Sequence, residues 1–237
     1  MTHLTGKERG EYVQDMFTRI AHRYDLMNRL MTAGQDVEWR KQVINRAKLQ
    51  PNFHLLDLGA GTGDLAREAL TQQPEAKVIA ADFTLEMMRV GQRHSPEGAR
   101  NGSLPWSAAD ALRLPFGDKT FDAVVSGFLM RNVGDLQGAL KEQYRTLKPS
   151  GRVVILDTTR PKRNLFSPFI WLHMHMVIPL VGGLISGSRD AYNYLPDSTE
   201  GFVTAEELAA RMAAVGFKQI NFERHMFGTI AIHWGVK

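Results

Sequence analysis

Residues 54–63 carry the pattern that points most directly to a chemical function. They read H-L-L-D-L-G-A-G-T-G, so a short apolar run with Asp57 near its end is followed by three glycines at alternate positions. Helix-favouring residues begin at once with Asp64. The order predicts a strand, a tight turn and a helix N-terminus, an arrangement that lets the backbone approach a nucleotide-like ligand closely.

The spacing of these glycines separates two kinds of nucleotide site. A dinucleotide fingerprint G-x-G-x-x-G that begins at Gly59 would need glycine where Asp64 stands. One that begins at Gly61 ends on Ala66, which is a tolerated variant. The form D-x-G-x-G-x-G, which begins at Asp57, instead resembles the first motif of class I S-adenosylmethionine (SAM) methyltransferases. That resemblance implies SAM as cofactor and S-adenosylhomocysteine as product, with a dinucleotide site and a purely structural turn as alternatives.

The chain around this turn alternates apolar runs with amphipathic segments. Strands are predicted at residues 54–58, 77–83, 104–110, 121–128 and 152–158, and helices at 62–70, 84–93 and 136–147. A turn is predicted at 149–151, a helix at 204–215, and two closing strands at 218–226 and 229–235. The connection between the closing strands is so short that they must be antiparallel. The expected fold is the Rossmann-like α/β fold of class I SAM methyltransferases, with a mostly parallel seven-stranded sheet and an antiparallel last strand.

The 237 residues are predicted to form a single domain, 1–237, with two additions to the sheet. Residues 1–50 form an N-terminal helical cap, because apolar residues recur there at helical spacing until Gly34. The recurring residues are Met16, Ile20, Tyr24, Met27 and Met31. Residues 161–200 form an apolar insert that has no charged residue between Arg163 and Arg189. Proline and glycine interrupt the insert, so a lid is favoured over a membrane-spanning helix.

Composition excludes several other classes of protein. The net charge is +4 and the basic residues are scattered, which argues against a dedicated nucleic-acid surface and is compatible with an anionic membrane surface. The chain has no cysteine, so disulfides, thiolate metal sites and cysteine nucleophiles are excluded. The first nine residues lack an apolar core, so no secretory signal is expected and a cytoplasmic location is predicted.

The candidate cofactor residues follow the ends of the first four predicted strands, where ligands bind in open α/β sheets. They are Asp57, Gly59, Gly61, Thr62, Gly63, Asp82, Asp110, Ala111 and Ser126. Asp82 lies 19 residues after Gly63, the separation expected of the carboxylate that accepts from the ribose hydroxyls. Asp57 could orient the turn or accept from the methionine amino group, and Thr62 could cap the next helix or contact the ligand. Asp110, with Ala111, could accept from the adenine amino group or be a solvated loop residue.

The end of the fourth strand excludes one related class. Enzymes that methylate the exocyclic amines of bases resemble one another in an Asn/Asp-Pro-Pro-Tyr/Phe motif at this point. This chain has S-G-F-L, starting at Ser126. Because a basic stripe is also missing, methylation of nucleic acids is not expected.

Longer motifs carry a more specific resemblance. The pattern F-x-x-I-A-x-x-Y-D-L-M-N from Phe17 and the pattern D-x-x-W-R from Asp36 resemble the N-terminal signature of the menaquinone/ubiquinone-biosynthesis C-methyltransferases, the UbiE/MenG family. So do R-N-V from Arg131, Y-x-Y-L-P-x-S from Tyr192 and G-T-I-A-I-H-x-G-x-K at the C-terminus. The chain departs from the family at residues 202–203, which read F-V where F-P is expected.

The resemblance implies methylation of a ring carbon of a prenylated quinol, most directly demethylmenaquinol. The candidate catalytic residues are Arg131, which would stabilise a phenolate, Asp157, which would accept a proton, and Tyr194, which would pack against or hydrogen-bond the ring. Tyr24 and Tyr192 are alternatives for the last role. No metal is expected, because the methyl donor already carries a positively charged leaving group.

The same resemblance suggests a location and leaves alternatives. The insert would form a lid or a groove for the isoprenoid tail, and the protein would sit at the inner face of the cytoplasmic membrane as a peripheral protein. A homodimer is left open. The alternative functions are methylation of another small apolar acceptor, such as a benzoquinol, a sterol or a polyketide, and a non-catalytic SAM- or lipid-binding subunit of a quinone-synthesis complex.

Overall fold

The computed structural model describes residues 6–94, 104–160 and 198–237, together with Met176. The N-terminal part is helical, as predicted. Its elements are α1 (Gly6–Ile20), a short 3-10 turn (Ala21–Arg23), α2 (Tyr24–Met31) and α3 (Gln35–Ala47). The predicted break at Gly34 lies between α2 and α3. Tyr192, Tyr194 and most of the insert 161–200 lie outside the described residues.

The strands of the described residues form one seven-stranded sheet. They are β1 (His54–Leu58), β2 (Lys77–Asp82), β3 (Trp106–Ala108), β4 (Phe121–Gly127), β5 (Leu147–Thr158), β6 (Lys218–His225) and β7 (Ile230–Val236). The helices between them are α4 (Asp64–Gln72), α5 (Leu85–Arg93), α6 (Leu136–Thr146) and α7 (Ala205–Val215). The strand order is β3-β2-β1-β4-β5-β7-β6, and β7 runs antiparallel to both of its neighbours. The mostly parallel sheet with an antiparallel last strand is therefore confirmed.

Strand β5 differs from its predicted bounds. It starts at Leu147, before the predicted turn at 149–151, and its register against β4 shifts between the pairs Phe121–Leu147 and Ala123–Arg152. The extra residues form an irregularity that pairs with the end of the chain, because the backbone of Lys237 exchanges hydrogen bonds with residues 150 and 151. The prediction of a turn that separates α6 from this strand was therefore wrong, because residues 149–151 lie within β5 and pair with the C-terminus, although Ser150 has a positive φ of 64°.

The central strands are apolar on both faces, which explains their nearly continuous hydrophobic sequence. Leu55 packs in the cluster that includes Trp39 and Val43 of α3, whereas its neighbour Leu56 packs in the cluster that includes Leu140 of α6. Helix α3 therefore belongs to the main core. Helices α1 and α2 form a smaller cluster of their own, made of Met16, Ile20 and Met27.

Within the described ranges, no helix combines the length and the apolarity needed to cross a lipid bilayer.

Candidate functional site

The glycine turn after β1 has the conformation that the sequence predicts. Gly59, Gly61 and Gly63 all have positive φ, at 68°, 58° and 88°. A Cβ atom at Gly59 would lie 2.9 Å from Leu129, and one at Gly63 would lie 2.8 Å from the ring of Trp106. These contacts would force a shift, so the first and third glycines are required by packing as well as by backbone conformation.

Asp57 lies in β1 beneath this turn and is fully buried. Its Oδ2 accepts a hydrogen bond of 2.9 Å from the backbone N–H of Ala66 in α4. Its Oδ1 is also buried and has no hydrogen-bond partner within the described part of the chain. Burial raises the pKa of Asp57 to about 7. Asp57 therefore orients the turn through its hydrogen bond to the start of α4, which is one of its two predicted roles. Its Oδ1 remains able to accept a hydrogen bond from a ligand.

Asp82 lies at the end of β2 and connects the turn to the next loop. Its Oδ2 accepts a hydrogen bond of 2.7 Å from the N–H of Gly61, and its Oδ1 accepts one of 2.7 Å from the N–H of Thr84. Desolvation raises the pKa of Asp82, and these hydrogen bonds oppose the shift. Asp82 also lines the cavity above the sheet, where its carboxylate can accept from the vicinal hydroxyls of a ribose.

Thr62 has a role that the sequence did not indicate. Its hydroxyl donates a hydrogen bond of 2.7 Å to Asp25 of α2. The predicted helix cap is not formed, because α4 begins after Gly63 without a side-chain cap. Desolvation, followed by repulsion from Asp64, raises the pKa of Asp25. The side chain of Thr62 therefore connects the N-terminal helices to the glycine turn.

The remaining predicted cofactor residues follow β3 and β4. Asp110 is exposed, and its Oδ1 accepts a hydrogen bond of 2.9 Å from the N–H of Leu112. Asp110 and Ala111 both line the cavity above the carboxyl ends of the central strands, the main cavity. Ser126 differs from the prediction that it faces the crevice, because it is fully buried inside the sheet and Gly127 and Phe128 line the cavity instead.

The main cavity has a volume of about 540 Å³ and lies above the carboxyl ends of the central strands. Its walls come from the glycine turn, the loops after β2, β3 and β4, and the N-terminal helices. Representative lining residues are Gln14, Phe17, Tyr24, Gly61, Asp82, Asp110, Leu129 and Asn132. Helix α1 is tied to two of these loops, because Arg9 donates to the carbonyl of Arg131 and Gln14 donates to the carbonyl of Phe83.

The chemistry of this lining fits SAM. The turn offers close backbone approach, Asp82 places a carboxylate in the lining, and Asp110 with Ala111 lies at the next strand end. Beside this lining, Asp57 faces a smaller cavity next to the turn, and its buried Oδ1 accepts no hydrogen bond from the described residues. Phe17 and Leu129 add apolar surface. Such a mixture of apolar walls with a few placed polar groups is typical of small-molecule sites.

The predicted catalytic residues Arg131 and Asp157 form a buried ion pair. Nη1 of Arg131 lies 2.8 Å from Oδ1 of Asp157, and the side chains are 7% and 1% exposed. Asp157 also accepts from the backbone N–H groups of Arg131 and Thr158. Among the described lining residues of the cavity, neither member of the pair is present, although Leu129 and Asn132 on both sides of Arg131 are. The third predicted catalytic residue, Tyr194, lies outside the described residues.

Three residues before Arg131, the backbone has an unusual conformation. Phe128 has a φ of 58°, which is uncommon for a bulky side chain and marks a constrained position. Its ring lies 5.2 Å from the guanidinium carbon of Arg131, and its carbonyl accepts from the side-chain amide of Asn132. The loop after β4 is therefore held in one conformation beside the cavity.

Sequence reasoning missed the contribution of α2 and α3. Asn28 and Arg40 line a smaller cavity beside the glycine turn, and Asp25 holds Thr62. The patterns Y-D-L-M-N and D-x-x-W-R contain these residues, so the signal was present, but spacing along the chain did not reveal which side chains face the cofactor turn.

Comparisons with known proteins agree with this geometry. Residues 4–237 match the ubiE/COQ5 methyltransferase family. A ubiquinone/menaquinone biosynthesis C-methyltransferase UbiE of Desulfotalea psychrophila is 44% identical over 230 residues, which cover 97% of this chain and 92% of that protein. A demethylmenaquinone methyltransferase of Thermus thermophilus is 43% identical, over 93% of this chain and 99% of that protein. The crystal structure of the [4+2]-cyclase SpnF is similar in fold, with a TM-score of 0.68 at 16% identity over 95% of this chain and 94% of that one.

Proposed function

Because the chain belongs to the ubiE/COQ5 methyltransferase family, we propose that it catalyses the SAM-dependent methylation of a ring carbon of a prenylated quinol, with demethylmenaquinol as the substrate. The observation that carries this proposal is the near-full-length similarity to UbiE and demethylmenaquinone methyltransferases, at 44% and 43% identity. The fold alone would not suffice, since a cyclase shares it.

The cofactor is held by the residues that end the first three strands. Gly59, Gly61 and Gly63 provide the close backbone approach, Asp82 accepts from the ribose hydroxyls, and Asp110 with Ala111 meets the adenine. When bound, SAM supplies an electrophilic methyl group on a positively charged sulfur. Ser126, which is buried within the sheet, supports this site from below and makes no contact with the cofactor in this proposal.

The acceptor carbon needs activation by the protein. An aromatic carbon is a poor nucleophile until the neighbouring hydroxyl loses its proton, and phenolic pKa values lie near 10. A cation close to the hydroxyl lowers that pKa. Arg131 is the candidate because it lies in the loop that lines the cavity and is almost fully buried, where its charge is weakly screened.

Asp157 is better suited to hold Arg131 than to accept the proton. Its carboxylate is 1% exposed and already accepts from three N–H groups, two of Arg131 and one of Thr158. These bonds fix the position of the guanidinium at the end of β5. We therefore propose Asp157 as the anchor of Arg131, with Tyr194 in the substrate pocket as the sequence suggests.

The substrate tail gives the apolar insert a role in this proposal. A quinol with an isoprenoid chain is a membrane lipid, and residues 164–188 contain no charged side chain. The insert would cover the tail, and the protein would act from the cytoplasm at the inner face of the cytoplasmic membrane. Apolar contact with the tail would contribute about 0.8 kcal/mol for each buried CH₂ group.

Transfer of label from SAM tests the proposal. The purified protein is incubated with methyl-labelled SAM and a panel of acceptors that contains reduced demethylmenaquinone, a reduced demethylbenzoquinone, a sterol and a phenolic polyketide. We expect label on the naphthoquinol and none on the same compound in its oxidised form, which has no hydroxyl to deprotonate. Label on another acceptor would assign the protein to that substrate. Cofactor binding without turnover on any acceptor would indicate a non-catalytic subunit.

A further inference from the structure

Helix α1 contains a glycine that neither its backbone conformation nor its packing requires. Gly10 lies inside the helix, and its φ is not positive. Glycine is less favourable in a helix interior than any residue except proline. No heavy atom of the described residues lies within 4 Å of the position that a Cβ at Gly10 would take. An alanine would therefore fit at this position and favour the helix, so the reason for glycine lies outside α1.

Glycines in two other helices show the contrast. A Cβ at Gly91 of α5 would lie 2.4 Å from the ring of Trp106, and one at Gly138 of α6 would lie 2.6 Å from the carboxylate of Asp135. Packing against a neighbouring side chain therefore excludes a larger residue at both of these positions. At Gly10, the position of the missing side chain is open space.

The open space at Gly10 belongs to the main cavity. Gly10, Gln14 and Phe17 all line this cavity, and residues separated by four and seven positions lie on one face of a helix. A side chain at residue 10 would therefore extend into the cavity. Each carbon added there would reduce the volume of about 540 Å³ that the cofactor and the methyl acceptor share.

Two hydrogen bonds of α1 indicate which ligand this part of the cavity receives. Arg9, the neighbour of Gly10, donates a hydrogen bond of 2.6 Å to the carbonyl of Arg131 in the loop after β4. One turn further along the helix, Gln14 donates one of 3.0 Å to the carbonyl of Phe83 in the loop after β2, at the cofactor end of the cavity. Gly10 therefore lies at the end of α1 that is nearer to Arg131, the residue proposed to act on the acceptor hydroxyl.

We propose that Gly10 is a specificity-determining residue, whose missing side chain leaves the space in which the ring of the methyl acceptor lies. This inference rests on the proposed function, which places the hydroxyl of an aromatic ring near Arg131. A side chain at residue 10 pushes the ring away from the position in which its carbon meets the methyl group of SAM. A displacement of about 1 Å can lower the rate of such a transfer about a hundredfold.

Two substitutions of different size test this role by transfer of label from SAM. Alanine and leucine at residue 10 both favour the helix more than glycine does. For Gly10→Leu we expect kcat/KM to fall by about tenfold or more, to a similar extent for demethylmenaquinol and for its tail-less analogue. Gly10→Ala should show a smaller loss and a melting temperature no lower than that of the wild type. The Kd of S-adenosylhomocysteine, measured by calorimetry, should change less than about twofold in both variants.

Thr18→Leu is the matched control, because it places the same side chain on the exposed side of the same helix. Thr18 is exposed and is not among the cavity-lining residues that the structure describes. Its hydroxyl donates to the carbonyl of Gln14 within α1. We expect this variant to have the kinetics and the cofactor affinity of the wild type. A loss as large as that of Gly10→Leu would indicate a general disturbance of α1 and would overturn the specific role of Gly10.

The other outcomes separate the inference from the proposed function. Unchanged kcat/KM in Gly10→Leu would overturn the inference, and a loss confined to the prenylated acceptor would assign the space to the tail instead of the ring. An equal rise in the Kd of S-adenosylhomocysteine would assign it to the cofactor. In each of these cases methyl transfer by the wild type leaves the proposed function in place. Failure of the wild type to label either acceptor would overturn the proposed function, and the inference with it.

Discussion

At the scale of single residues, the Arg131–Asp157 pair combines a proposed catalytic role with a contribution to folding stability, and the two effects are difficult to separate by mutation. Both side chains are almost completely buried, and the guanidinium lies 2.8 Å from the carboxylate. Removal of one partner leaves the other charge buried and unpaired, which typically costs about 3–5 kcal/mol of stability. A simple Arg131→Ala variant would therefore confuse loss of a catalytic group with loss of folding.

A double variant resolves this ambiguity. Arg131→Gln should lower kcat strongly and reduce stability, whereas Arg131→Gln combined with Asp157→Asn removes both charges and should recover much of the stability. If Arg131 acts on the substrate hydroxyl, kcat of the double variant stays low while its affinity for S-adenosylhomocysteine is near that of the wild type, because the missing interaction forms mainly in the transition state. Steady-state kinetics and urea denaturation measure the two effects, and recovery of kcat in the double variant would reduce Arg131 to a structural role.

At the scale of elements, the conformation of the glycine turn should determine whether the cofactor can bind. Gly61 has a φ of 58°, and a side chain there would meet Met87 and Tyr24 at the cavity wall. Gly61→Val should abolish detectable binding of S-adenosylhomocysteine, and Asp82→Ala should weaken it by about 1–3 kcal/mol because ribose hydroxyls lose their acceptor. Calorimetry is the measurement, and Gly117→Ala is the control, since its Cβ would have an ordinary contact of 3.6 Å. Wild-type affinity in both site variants would show that this turn is not the cofactor site.

The elements also show which features a sequence can predict. The central strands were predictable because both of their faces are buried, as at Leu55, Leu56 and Val124. Such strands have nearly continuous runs of apolar residues, which can be read from the sequence alone. The partners of Thr62 and Arg131 were not, because each side chain meets a residue of another element, 37 and 26 positions away. Spacing predicts which strand end a residue follows, but it does not give the packing of two elements against each other.

At the scale of the whole molecule, one buried histidine connects the last strand to α7 and makes stability depend on pH. His233 is 1% exposed, and its Nε2–H donates a hydrogen bond of 2.9 Å to the carbonyl of Ala205. Burial lowers the pKa of His233 from 6.5 to about 4. The stability that this group contributes is fully present above pH 6.5 and is lost as the pH falls towards 4, because the unfolded chain takes up the proton first.

The size and origin of this effect can be measured. The loss between pH 6.5 and pH 4 amounts to about 3 kcal/mol at most, from a pKa difference of about 2.5 units. His233→Gln keeps a donor for Ala205 but does not titrate, so its free energy of unfolding should fall less over this range. Urea denaturation at several pH values gives both curves, with His22→Gln as a control at a largely exposed histidine. Parallel curves for wild type and His233→Gln would contradict the assignment.

The proposed function also requires that a prenylated quinol reach the cavity above the sheet. The sequence of residues 164–188 contains no charged residue and is interrupted by Pro168, Pro179 and a pair of glycines. This pattern predicts neither a solvated loop nor a bilayer-spanning helix. Contact with an isoprenoid tail or with the membrane satisfies both conditions, and a tail of a few isoprene units would then dominate substrate affinity. Replacing Trp171 and Ile178 by Ser should raise KM for long-tailed quinols much more than for a tail-less analogue, and should reduce co-sedimentation with liposomes.

Leu85→Ser provides a matched control for this last experiment, because it removes a leucine that is 51% exposed and lies outside the insert. We expect it to leave both KM values and liposome binding unchanged, since the loss of one exposed leucine on α5 removes no contact with the tail. The comparison therefore separates a specific effect of the insert from a general loss of apolar surface. If the Trp171 and Ile178 variant raises both KM values equally and binds liposomes as the wild type does, the insert is a packed lid, and the quinol must enter the cavity without its help.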